Sequence, residues 1–153
     1  FNKKYFGLPE TAQTADIVIN EILFNPKPGG VDFIELVNNS HKFLNLKNWS
    51  IGNMEDGVPS SLKPLMIQDY LLQPGAYLVL TEDFYALKGE YPSLEEVNVL
   101  VLDNMPGLSD DKGSVVVIDD QGTILDHFQY AENGWNSCSN STKRRHTKQR
   151  KGI

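Results

Sequence analysis

The chain alternates short runs of β-branched and aromatic residues with turn-forming residues, a pattern that predicts strands along most of its length. Residues 16–24 (DIVINEILF) form the first run, which stops at Asn25-Pro26, and residues 32–37 (DFIELV) form the second. Further strands are predicted at 43–46 and 49–51 (one strand or a bent pair), 65–67, 76–80, 97–102, 114–118 and 123–130. The Gly-, Pro- and Asp-containing stretches predict a loop at 52–61 and turns at 72–75 and 119–122.

One short helix is predicted, with Thr81 as its N-cap, Glu82 and Asp83 at its positive end, and its close near Lys88-Gly89. About eight or nine short strands without βαβ alternation predict an all-β domain, and at this length a two-sheet sandwich. Trp49 is expected to have a structural role in its core. The predicted buried set is Ile17, Ile19, Phe33, Leu46, Trp49, Leu78, Leu80, Val115 and Val117.

Charge divides the 153 residues unevenly. All 20 Asp and Glu lie at or before Glu132, whereas six of the 14 Lys and Arg lie after it. Residues 1–132 therefore carry eight basic against 20 acidic side chains, a formal charge of −12, and residues 133–153 carry +6. An acidic body argues against a nucleic-acid face on the domain, because phosphates would be repelled. The basic tail could bind phosphate or acidic protein, or could simply be an unfolded end.

These shifts in composition predict a leader or linker at 1–15, a β-sandwich domain at 16–132 and a basic, disordered or atypical tail at 133–153. The single cysteine excludes an intrachain disulfide. No apolar run reaches the ~18 residues of a membrane span, and no signal peptide is visible. Because the chain begins with Phe1, we expect it to be a piece of a longer protein.

No residue pattern typical of an active site is present. The histidines His41, His127 and His146 lack paired metal-ligand spacing, and Cys138 lies in a polar stretch without a catalytic signature. Serine-hydrolase elbows and phosphate-binding glycine loops are also missing. We therefore predict no catalytic residues and no cofactor.

The carboxylates are the more informative set. Glu21 and Glu35 lie inside apolar strands, where a charged side chain must be hydrogen-bonded or paired. A structural role is the first interpretation, and a general acid/base pair or a divalent-cation site are the alternatives. Aspartates in loops between strands could supply hard oxygen ligands to Ca²⁺. These metal-ligand candidates are Asp103, Asp110, Asp111 and Asp119.

Taken in order, the strand motifs resemble the lamin tail domain family. The resemblance rests on DIVINEI (16–22), DFIELVN (32–38), LKNWSI (46–51), LQPGAYLVL (72–80) and MPGLSDDKGSV (105–115), followed by a hairpin that carries Asp126. It covers about residues 16–132. The order and spacing of the motifs together carry it, since each motif alone is short.

This resemblance implies an immunoglobulin-like β-sandwich, in agreement with the strand pattern. It also implies an interaction or spacer module without established catalytic residues, in which Glu21 and Glu35 match recurring acidic positions. Because the chain has no heptad rod, it looks more like the bacterial branch, whose domains lie in large secreted or surface proteins. We therefore expect an extracellular or cell-surface location, with the periplasm as the alternative, flanking domains in a parent chain, and an unidentified protein or glycan partner. The alternative hypothesis is a hydrolase-associated accessory domain with a Ca²⁺ site in its Asp-rich loops.

The tail departs from the family pattern, because members usually close with a strand that is missing after Glu132. One hypothesis is a genuine divergent basic tail. The other is a frameshift near an adenine run around Glu132, which predicts that the shifted DNA frame encodes Lys-Met and Lys-Gly-Val. In the second case one sheet would lack its closing edge strand.

Overall fold

The computed structural model describes residues 7–131 and 134–136 of the chain, the last three by their backbone only. Eleven strands, one α-helix and one 3₁₀ turn follow each other in these residues. The strands are β1 (Ile17–Leu23), β2 (Phe33–Asn38), β3 (Leu44–Asn45), β4 (Ser50–Glu55), β5 (Val58–Pro64), β6 (Leu71–Leu72), β7 (Tyr77–Thr81), β8 (Val99–Val101), β9 (Lys112–Ile118), β10 (Ile124–Ala131) and β11 (Gly134–Asn136). The helix α1 is Phe84–Glu90, and the 3₁₀ turn is Glu96–Asn98.

Two sheets make up the sandwich. The first has the strand order β1-β2-β7-β8, with β7 and β8 parallel and the other pairs antiparallel. The second has the order β11-β10-β9-β4-β5 and is antiparallel throughout. A two-stranded ladder of β3 and β6 lies beside them. The predicted all-β sandwich with one short helix is confirmed, and no helix in the described part of the chain is long and apolar enough to cross a membrane.

The core lies between the two sheets, and every residue of the predicted buried set is buried there or beneath the helix. Trp49 is 3% exposed and belongs to the main cluster, which both sheets supply. A second, smaller cluster forms on the outer face of the first sheet, where Leu87 of α1 packs on Leu23, Phe33 and Val79. The helix therefore covers one end of that outer face.

Strand β1 contains a bulge that redirects its side chains. Ile19 pairs with Leu36, and the next paired residues are Glu21 and Glu35, so that Asn20 is left over. Simple alternation would point Glu21 into the core with Ile19, because successive side chains on a strand face opposite sides. The extra residue turns Glu21 outward and places Ile22 in the core instead.

A single buried side chain joins the two sheets at this bulge. The Oδ2 atom of Asp126, on β10, accepts a hydrogen bond of 2.8 Å from the backbone N–H of Ile19. Asp126 is only 5% exposed, so this bond forms away from water. It satisfies an N–H group that faces the other sheet.

The predicted loop at 52–61 is wrong, because these residues form the β4–β5 hairpin. Asp56 and Gly57 make its tip with φ values of 49° and 80°, the left-handed pair that a tight hairpin needs. Strand β5 is polar and carries Pro59 and Pro64, which is uncharacteristic of a central strand. It tolerates both prolines because it lies at the sheet edge.

Three other predictions need correction. Residues 65–67 form no strand; Leu65 donates its N–H to the Trp49 carbonyl, and Ile67 is 77% exposed. The helix N-cap is Asp83, whose carboxylate accepts from the Ala86 N–H at 3.0 Å, whereas Thr81 ends β7. Of the predicted strand at 97–102, residues 97–98 belong to the 3₁₀ turn, and only residues 99–101 form a strand, β8.

Both predicted boundary segments have described residues that contact the domain. Within the predicted leader, Pro9 bridges to Phe43, Ala12 packs against the core, and Ala15 donates its N–H to the Leu125 carbonyl. Within the predicted tail, β11 pairs with β10 and forms the outermost strand of the five-stranded sheet. The open edge expected from the frameshift hypothesis is thus occupied here by backbone of the same chain. Residues 1–6, 132–133 and 137–153 lie outside the described residues.

Replacing Trp49 by alanine is predicted to lower the free energy of unfolding by about 3–5 kcal/mol, since a large buried aromatic leaves a cavity. Urea denaturation followed by circular dichroism measures this loss. Tyr85→Ala is the matched control, because that ring is 82% exposed on α1 and its removal should change stability little. Equal losses in the two variants would contradict the packing described here.

Asp126→Ala is predicted to destabilise the domain by about 1.5–3 kcal/mol, because the buried Ile19 N–H loses a charged acceptor. Asp126→Asn retains an acceptor oxygen and should lose less. Asp120→Ala, at an exposed turn position, is the control and should be nearly neutral. If Asp126→Ala unfolded at the same urea concentration as Asp120→Ala, the hydrogen bond between Ile19 and Asp126 would contribute no stability to the domain.

Candidate functional site

The structure does not gather the four predicted metal ligands. Asp103, Asp110 and Asp111 are exposed, whereas Asp119 is buried and accepts from the backbone N–H groups of Gln121 and Thr123 at 2.9 and 2.7 Å. Asp119 is therefore the anchor of the β9–β10 turn. Among the described residues, no group of three or more His, Cys, Asp and Glu could hold a metal ion. A Ca²⁺ site in the Asp-rich loops stays a prediction that calorimetric titration can test.

Asp110 instead lies near Asp32, and Asp32 also lies near Glu82. Burial, together with repulsion from Asp110 and Glu82, raises the pKa of Asp32 to about 6. Burial and the nearby Asp32 likewise raise the pKa of Tyr130 to about 12, so its phenol stays neutral. Oε1 of Glu82 accepts from the Met105 N–H at 2.7 Å. Among the described residues, none of these three carboxylates forms a salt bridge, so acidic groups are concentrated at this end of the sandwich.

Glu21 and Glu35 lie side by side on the outer face of the first sheet. The bulge in β1 makes them direct partners across the β1–β2 pair. Oε1 of Glu35 accepts from the Asn20 side-chain amide at 2.6 Å. Burial raises the pKa of Glu35, the bond from Asn20 opposes that rise, and the charge of Glu21 adds to it. The predicted structural role of Glu35 thus has a definite partner, but no bond from a loop donor to Glu21 accompanies it in the described residues.

A cleft of about 180 Å³ opens beside these carboxylates. The apolar part of its lining comes from the cluster under α1 and from the residues that follow the helix. The lining residues are Glu21, Phe33, Glu35, Val79, Leu87, Tyr91, Ser93 and Leu94. The rings of Phe33 and Tyr91 meet edge to face, with centroids 5.8 Å apart. Carboxylates and aromatic faces therefore share one concave surface.

A second concave surface lies at the carboxyl end of the edge strand β8. Its volume is about 350 Å³, and it is lined by Pro64–Gln68 on one side and Val101–Asp103 on the other. Ile67 and Val101, at 77% and 52% exposure, present apolar side chains to solvent there. We call this surface the β8 groove.

The sheet edges differ in the described part of the chain. On the β1 edge, Asp126 accepts from the Ile19 N–H, and Ala15, which precedes β1, donates to the Leu125 carbonyl. The two prolines of β5 remove N–H donors from that edge. Strand β11 pairs with β10 and is itself an outermost strand of three residues. The edge of β8 has neither a described strand beside it nor a proline within it, and it adjoins the β8 groove.

The remaining sequence candidates show no shared site. His41 is exposed in a turn, and His127 is half-buried on β10. His146 and Cys138 lie outside the described residues. The strand pattern does not predict the β8 groove, because it places Ile67 and Val101 in ordinary strands. The exposure of a β-branched residue depends on which neighbours the fold provides.

Asp32→Asn is predicted to change the pH dependence of stability. Between its ordinary pKa of 3.8 and its folded-state pKa of about 6, Asp32 binds more protons folded than unfolded. The wild-type domain therefore loses stability from this group as the pH rises through that window, and the asparagine variant does not. Melting temperatures should show the variant above wild type near pH 7 and level with it near pH 4. Asp120→Asn, an exposed aspartate, is the control; matching profiles for both variants would contradict the raised pKa.

Comparison with solved structures returned a mutant β-glucosidase from Listeria innocua in complex with laminaribiose. Its identity to this chain is 15% and its TM-score is 0.32; the matched region covers 78% of this chain but 16% of the glucosidase chain. A likeness at this level supports no functional argument. No curated protein sequence matches the chain.

The sequence profile of one family matches most of the chain. It is the Lamin Tail Domain, and the match spans residues 10–132. The matched region includes both sheets except β11, the β1 bulge, Glu21 with Glu35, and the β8 groove. This match agrees with the immunoglobulin-like sandwich and with the order of its strand motifs, and the chain is therefore a member of the lamin tail domain family.

Proposed function

We propose that this domain is a non-catalytic interaction module that binds an extended segment of a partner protein along the β8 edge. The observation that carries the proposal is the contrast among the sheet edges. In the described residues, Asp126 takes one N–H of the β1 edge, prolines blunt β5, and β11 pairs with β10, whereas β8 has an outer side without a strand and an apolar groove next to it. An extended peptide adds to such an edge through backbone hydrogen bonds.

The lining of the β8 groove supports a partner with apolar side chains. Leu65 and Leu102 form a buried floor, and Ile67 and Val101 stand exposed on its two sides. A β-strand presents alternate side chains to one face, so every second residue of an added segment could contact this apolar lining. Burial of Ile67 and Val101 would contribute to affinity, since both now face water.

Charge favours a basic segment. Asp103 lines the groove, and the formal charge of residues 1–132 is −12. A positively charged peptide would be attracted to this field, and complementary charge mainly speeds encounter and selects partners. The proposed ligand is therefore an extended segment that alternates apolar and basic residues. A glycan ligand is the competing possibility, and the experiment below separates the two.

We also propose that the parent protein is a larger bacterial extracytoplasmic chain in which this module is flanked by other domains. Family membership and the sequence resemblance to the bacterial branch support this proposal. The full-length gene tests it: a signal peptide and additional domains are expected. A gene without either would overturn the proposed location.

Selection of peptides from a random display library against the full chain tests the edge-binding proposal. Selected peptides should combine apolar and basic residues, and N-methylation at alternate backbone nitrogens should abolish their binding, since an added strand needs those N–H groups. The double variant Ile67→Lys/Val101→Lys should weaken binding at least about tenfold, which is about 1.4 kcal/mol.

Val58→Lys is the matched control, because Val58 is 62% exposed on the β5 edge, away from the groove. It should leave the affinity unchanged. Circular dichroism must show that all variants fold. Equal binding by the double variant, or tolerance of N-methylation, would refute strand addition at β8. A glycan array probed with the same chain is the second arm, and binding to a glycan with no peptide selected would refute it as well.

A further inference from the structure

The cleft under α1 combines a pair of carboxylates with an apolar and aromatic lining. Its base carries Glu21 and Glu35, which are direct partners on neighbouring strands. Like charges opposite each other on one sheet face are destabilising unless a positive charge lies between them. In the described residues, neither carboxylate forms a salt bridge.

No described cation forms a salt bridge with the two carboxylates of the cleft. Lys88, the one basic residue of α1, lies beside the cleft, but its Nζ donates to the Leu94 carbonyl. Asn20 bonds Glu35 but carries no charge. The carboxylate pair therefore has no salt-bridge partner among the described residues.

The rest of the cleft is suited to a long aliphatic chain. Leu87 and Leu94 form an apolar wall, and Phe33 and Tyr91 provide aromatic rings beside it. Lysine and arginine pack their methylene stems on such surfaces while the charged head reaches a polar partner. Aromatic rings also attract a cation held close to their faces. The volume, about 180 Å³, suits a single side chain rather than a large ligand.

We propose that this cleft is a second binding site, which takes a lysine or arginine side chain of a partner protein. The stem lies along Leu87, Leu94 and Phe33, and the cationic head lies between Glu21 and Glu35. Charge complementarity supports this occupant, because the site has two carboxylates and the body of the domain is strongly acidic. The site lies on the outer sheet face and is separate from the β8 groove, since the two surfaces share no lining residue.

The test uses the full chain and the peptide acetyl-Ala-Lys-Ala-amide as the probe. Methyl resonances of Val79, Leu87 and Leu94, which line the cleft, are followed by NMR during titration. The lysine peptide should shift them saturably, and high salt should weaken the effect through screening. The same peptide with norleucine in place of lysine has the stem but no charge and should leave them unshifted.

Glu21→Gln and Glu35→Gln should each weaken lysine-peptide binding by at least about fivefold, and together by more. Glu55→Gln removes the same charge from an exposed position on β4 and is the matched control. It should leave the binding unchanged. Equal weakening by Glu55→Gln would show a general charge effect and overturn the site, and so would equal shifts with the norleucine peptide or no shift with the lysine peptide.

The Ile67→Lys/Val101→Lys variant separates this site from the proposed edge binding. It should retain the response to the lysine peptide while it loses the selected extended peptides. Loss of both responses in a folded variant would refute the independence of the two sites. Failure of the lysine peptide alone, with edge binding intact, would refute only the cleft.

Discussion

The bulge in β1 decides which of its side chains reach the outer surface of this domain. At the same point the Ile19 N–H donates to Asp126 and joins β1 to β10 across the two sheets. Because β1 has an extra residue there, its side-chain alternation reverses, and Glu21 lies beside Glu35 on the outer face of the sheet and not in the core. Without the bulge, a carboxylate would point into an apolar interior, at a cost of several kcal/mol. One local irregularity thus stabilises the core and creates the carboxylate pair.

The edges of the two sheets differ in how far they are protected. On the β1 edge the Ile19 N–H is already bonded to Asp126, and the prolines of β5 remove donors on the β5 edge. The short β8 has no such protection among the described residues, and its neighbour Ile67 adds apolar surface. Edge protection is a general requirement for a soluble sandwich, so an unprotected edge with an apolar groove is the feature that most favours an interaction role. The carboxylates of Asp32 and Glu35 lower the stability of the domain where they are ionised, because burial and neighbouring carboxylates make each of them harder to ionise in the folded state.

Most of the fold could be predicted from local pattern, because strands with one buried face show their alternation directly. The predicted core was confirmed for this reason, as Ile17, Leu78 and Val117 occupy regular inward positions. The β4–β5 hairpin was missed although Asp56-Gly57 is a strong hairpin signal. Its second strand is polar and contains prolines, so its residues have no buried face that a pattern could reveal. Only the pairing with β4 determines that they form a strand.

Sequence alone predicts the strand-rich architecture, the family resemblance, the acidic body and the unusual position of two glutamates in apolar strands. Which side those glutamates face depends on the fold, because a bulge changes alternation without changing composition. Tertiary structure likewise brings Asp110 near Asp32, since strands remote in sequence bring their ends together. Folding also places Ile67 and Val101 in one groove. Whether an apolar side chain is buried in the core or exposed on a surface depends on the elements that pack beside it. A strand pattern shows that a residue is apolar, but it does not show that no neighbouring strand covers that residue.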